Sequence, residues 1–109
     1  MAYDEGLADL LRGDLEAMGG LQEKRMFGGL VFMLRGNMLC GVHSGGGMFR
    51  VGPEGEPAAL QIEGATPMAF TGRRMAGFVE ATDEAMDDTP RRQALLTLAL
   101  AYVGPMPGK

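Results

Sequence analysis

The chain has 109 residues, 46% of them hydrophobic, with a net charge of −4 and a single cysteine. That length supports one domain with one core, and that composition excludes wholesale disorder. The acidic balance argues against general nucleic-acid affinity, and one cysteine excludes an internal disulfide.

The opening MAYDEGLADLL carries acids where a secretory leader carries bases. The longest apolar run, ALLTLALAYV, is about half the length that crosses a bilayer. A cytoplasmic protein with no membrane partner is therefore expected.

Segment 4–18 predicts the first helix. Leu7, Leu10, Leu11, Leu15 and Met18 recur at helical spacing, Asp4 and Glu5 suit its positive end, and Gly19-Gly20 stops it. The next segment, MFGGLVFML at 26–34, is apolar on both alternating faces and predicts a central strand covered on both sides. Taking Gly36-Asn37 as a two-residue turn sets Leu34 opposite Leu39 and Met33 opposite Cys40. A second hairpin through residues 44–47 sets Val42 opposite Phe49.

That register sorts the strands into two faces. One holds Val31, Met33, Cys40, Val42, Phe49 and Val51, a pure core face for the helices to cover. The other holds Leu30, Phe32, Leu34 and Leu39 beside Gly41, His43, Met48 and Arg50. It is too apolar for plain solvent exposure, so the four large apolar residues predict an interaction face.

Residues near 57–63 suggest a short helix, and 67–71 and 74–81 suggest two further strands. Thr89-Pro90 marks the start of a last helix reaching about Val103, buried on more than one side. The expected fold is α+β: a helix, an antiparallel meander of about five strands, and a C-terminal helix. Both long helices lie on one face. One domain at 1–104 and a loose tail at 105–109 complete it.

Little in the chain resembles chemistry. Cys40 and His43 sit an odd number apart on a strand and so face opposite ways. The loop HSGGG lacks the spacing of a phosphate-binding loop. No acid–histidine cluster has metal spacing, and the ten methionines are scattered through apolar segments, where core filling is the default. No nucleophile–base pair, metal or cofactor is expected, and the chain is not expected to be an enzyme.

Charge is unevenly spread. Residues 20–79 carry a net +2 while the two ends are acidic. Within FTGRRMAGF at 70–78, adjacent arginines point to opposite faces, so Arg73 and Arg74 cannot form one clamp. The anion-binding expectation is instead that Lys24, Arg50 and Arg73 converge, as phosphate or nucleotide recognition would use them.

In order, MAYDEGLADLL, EKRMFGGLVFM, GNMLCGV, RVGP and PMAFTGRRMAGFV, followed by a Leu/Ala-rich helix, resemble the TfoX N-terminal domain family across nearly the whole chain. The matching positions are Lys24, Met26, Phe27, Gly28, Gly29, Arg50, Gly52, Phe70, Gly72, Arg73, Met75 and Gly77. Arg74 departs from the usual pattern. The resemblance implies a secretion-chaperone-like fold and a role in competence regulation, as a transcriptional co-activator acting by protein contact. It brings no catalytic residues. Because the chain stops soon after its last helix, the family's helical C-terminal domain is expected to be absent. Function is therefore expected to be non-enzymatic: a regulatory module binding protein partners, a second copy of itself among them. A small-anion-binding regulator is the alternative.

Overall fold

Asp4 caps the first helix, accepting from the Gly6 amide at 2.8 Å, and α1 (Glu5–Leu15) runs until its apolar stripe ends. The computed structural model describes residues 3–26, 28–70 and 72–108. After α1 come β1 (Leu21–Met26), β2 (Gly29–Leu34), β3 (Asn37–His43) and β4 (Gly46–Arg50). Then follow α2 (Gly52–Leu60), β5 (Ala65–Phe70), β6 (Arg73–Ala81), α3 (Asp83–Asp87) and α4 (Thr89–Val103). The expected α+β architecture is present, with one strand more than expected. All six strands join one antiparallel sheet in the order β1-β2-β3-β4-β6-β5.

The added strand is β1, LQEKRM, whose charges mark it as an edge. The stretch read as one strand at 26–34 is therefore the end of β1 followed by β2. The third helix, α3, also goes beyond the expected elements; Thr82 caps it by accepting from the Ala85 amide at 3.1 Å. Asp88 rather than Thr89 caps α4, through the Arg91 amide at 3.0 Å.

The β2–β3 turn differs from the expected one by one residue, and the difference matters. Arg35 (φ 50°) and Gly36 (φ 85°) are consecutive left-handed residues, the signature of a type I′ turn. Leu34 therefore pairs with Asn37, and Met33 with Met38. The register then slips between Met33 and Phe32, so that Phe32 meets Cys40 and Leu39 is the extra residue of a bulge. The β3–β4 turn is also tighter than expected, with His43 opposite Gly46.

A one-residue slip exchanges the faces of a strand. Leu30, Phe32 and Leu34 point to the helical side, and Leu39 joins them through the bulge. All four are at most 5% exposed. They share one core cluster with Leu11 and Leu15 of α1, Ala59 of α2, Met86 of α3 and Leu95 of α4. The expected interaction face is thus the centre of the core. The expectation placed Cys40, Val42, Phe49 and Val51 correctly in that cluster, but had β2 and Leu39 reversed.

Ionic ties help hold the helices. Arg92 of α4, 4% exposed, donates from Nε to Asp14 of α1 at 2.7 Å and from Nη1 to the Met86 carbonyl at 2.9 Å. The Glu56 carboxylate of α2 accepts from the Gly77 amide and from Arg74 at 2.5 Å, fixing α2 against a bend in β6. Hydrogen bonds also reach the C-terminal end: Asn37 donates to the Pro107 carbonyl at 2.9 Å, and Arg35 to that of Gly104 at 2.5 Å.

Candidate functional site

With the register corrected, alternation defines the sheet's other face. It carries Lys24 and Met26 from β1, Val31 and Met33 from β2, and Met38, Gly41 and His43 from β3. From β4 come Met48 and Arg50, and from β6 Phe78 and Glu80. Val31, Met48 and Met68 form a small buried cluster there, with Met26, Met33, Met38, Met75 and Phe78 packed around it half-buried. Every side chain in this second cluster comes from a strand, whereas all four helices contribute to the first. Among the described residues no helix side chain joins this cluster, and Tyr102 of α4 reaches the face only at its rim, beside Arg50.

Six of the chain's ten methionines lie on it. Scattered in sequence, they converge in space. Met33 and Met38 are direct partners across the β2–β3 ladder. A Cβ at Gly41 would lie 3.0 Å from the Met48 methyl carbon, so the missing side chain at 41 is what lets Met48 cross β3 towards Val31. Flexible thioethers fill such a surface without fixing its shape.

The three cations expected to converge all belong to this face, yet the ladder spaces them apart. Lys24 lies on β1, three inter-strand steps from the β4 strand of Arg50, which is roughly 14 Å in the sheet. Arg73 pairs with Phe70, while Arg50 pairs with Phe78, roughly 16 Å further along β6. No single small anion spans that set. The Arg50 guanidinium is already stacked, 5.9 Å from the Phe78 ring and 5.7 Å from the Tyr102 ring. Lys24 and Arg73 are exposed, and among the described residues neither has an ion-pair partner. Arg74 points the other way, to Glu56.

Cys40 and His43 are not brought together for thiol or imidazole chemistry. Cys40 is buried, and desolvation pushes its thiol far above the ordinary value. His43 lies on the opposite face, as its spacing predicts, and its Nδ1 accepts from the Gly45 amide at 2.9 Å. On the helical side, a groove of about 470 Å3 is lined by Asp4, Leu7, Leu10, Asp83, Glu84 and Asp87. It holds carboxylates without a base or nucleophile beside them.

Phe27, one of the positions carrying the family resemblance, lies outside the described residues. Gly72 (φ 80°) and Gly77 (φ 84°) both take left-handed backbone, which glycine adopts without steric cost. No local signal points to Asp14, Glu56 or Arg92, because each finds its partner across elements far apart in the chain.

Compared with known proteins, the chain matches the family model described as the TfoX N-terminal domain over residues 14–102. No curated protein and no solved structure matches it.

Proposed function

The chain belongs to the TfoX N-terminal domain family, and from that premise we propose that it is a regulatory interaction module with no catalysis of its own. It docks a protein partner on the helix-free face of its sheet. Transcriptional co-activation by protein contact, in the cytoplasm, is the form of regulation this reading favours.

One observation carries it: a sheet face on which Met26, Met33, Met38, Met75 and Phe78 stay partly exposed around a buried centre. Leaving that much apolar surface in water is unfavourable, and contiguous exposed apolar surface is the usual mark of a docking site. Methionine suits the role, because an unbranched thioether repacks around differing partners. The resemblance implies protein contact; because Leu30, Phe32, Leu34 and Leu39 are buried, this reading takes the opposite side of the sheet as the candidate surface. The spacing of Lys24, Arg50 and Arg73 weighs against the anion-binding alternative.

The test is affinity capture from native extract with the unaltered chain and with a Met33→Glu/Met38→Glu variant. Circular dichroism first establishes that the variant is folded. Loss of specific partners with the variant supports the reading; an unchanged set of partners rules it out.

A further inference from the structure

The helix-free face has the opposite charge from the rest of the chain. It presents Lys24, Arg50 and Arg73 against one acid, Glu80, while the whole chain carries −4. The cations ring the apolar centre. Lys24 stands beside Val31 at the β1 side, Arg50 beside Met38 and Phe78, and Arg73 at the open end of β6 next to Met75. Glu80 sits apart from them, next to the β3–β4 turn, where its Oε2 is 3.6 Å from the Cβ position of Gly45. An apolar floor with a basic rim selects an occupant with the reverse pattern.

Resting on the docking reading above, we propose that the occupant is an acidic amphipathic segment of a partner protein. Its apolar side chains lie over Met26, Met33, Met38 and Met75, and its carboxylates meet Lys24, Arg50 and Arg73. Complementary charge speeds encounter and excludes wrong partners, while the apolar floor supplies the residence time. Two other occupants fit less well. A second copy docked face to face would set two basic rims against each other, and like charges across an interface oppose it. A soft metal cation, which thioethers can ligate, would sit among three fixed positive charges.

The test uses the full chain carrying 13C-methyl methionine and three synthetic helical peptides. These share one apolar stripe, with Glu, Gln or Lys at all remaining positions. The expected result is that the Glu peptide moves the Met26, Met33, Met38 and Met75 methyl resonances. It should bind roughly tenfold more tightly than the Gln peptide, weaken steeply as salt rises from about 50 to about 500 mM, and lose roughly tenfold in affinity with Lys24→Glu/Arg73→Glu.

Equal binding of the Glu and Gln peptides would overturn charge selection and leave the docking face standing. No methyl response to any peptide would overturn both. If the same methyls move when the protein alone is concentrated, the occupant is a second copy and the acidic-segment proposal is overturned.

Discussion

Replacing Phe32 and Met33 by alanine, one at a time, tests the sheet's two faces most cheaply, because neighbours on one strand point opposite ways. Phe32 is 2% exposed among the helices, whereas Met33 is half-buried on the helix-free face. Truncating a buried phenylalanine costs about 3–5 kcal/mol, combining lost transfer energy with an unfilled cavity. Truncating a half-buried methionine removes about 1 kcal/mol of transfer energy and leaves no enclosed cavity. With a urea slope of about 1.5 kcal/mol per M, Phe32→Ala should lower the midpoint by roughly 2–3 M and Met33→Ala by less than about 1 M. Should Phe32→Ala fail to fold, Phe32→Leu gives the same ranking at smaller size. If Met33→Ala is the more damaging change, the sheet has the register with Leu34 opposite Leu39, and the docking face described above is wrong.

Arg92→Met should cost about 3–5 kcal/mol in thermal or urea unfolding, since it strands the largely buried Asp14 carboxylate. Asp14→Asn in the same chain should recover part of that loss. Glu56→Ala should destabilise by more than Arg74→Ala, because the carboxylate also holds the buried Gly77 amide while the Arg74 side chain is 55% exposed. Gly41→Ala should unfold the protein or split the β2–β3 pair, readable by amide exchange, because its Cβ would run into the Leu30 carbonyl. Arg12 donates to Glu23 at 2.7 and 2.8 Å and holds that carboxyl below its ordinary value of 4.5. A depressed carboxyl stabilises the fold above its unfolded value, and that contribution is lost as pH falls through the folded one. Arg12→Gln should therefore flatten the loss of stability between about pH 5 and pH 3.

Much of the fold was legible in local patterns. The apolar stripe of α1 and the Pro90 start of α4 each act over a few residues, and each appears as expected. Register was harder. Arg35-Gly36 and Gly36-Asn37 are both plausible turn pairs, and only the backbone shows that Arg35 takes a positive φ. The bulge at Leu39 left no local signature; it is set by which apolar side chains the helices need beneath them. Because β2 is apolar on both sides, hydrophobicity alone could not say which side was core. The candidate site was hidden for the same reason, since methionines far apart in sequence become neighbours only once the ladder is aligned. The three cations were expected to converge on one pocket, but how far apart they lie depends on strand order, which no short motif encodes.

The central claim is that the helix-free face is open in the isolated protein and covered in the cell. Methionine oxidation footprinting compares the two states directly, with sulfoxide at each site read by mass spectrometry. In purified protein, Met26, Met33, Met38 and Met75 should oxidise well ahead of the buried Met48, Met68 and Met86. In native extract those four should become protected while Met18 and Met106, away from the face, stay as reactive as before. Equal oxidation of Met33 and Met38 in both states would contradict a docked partner.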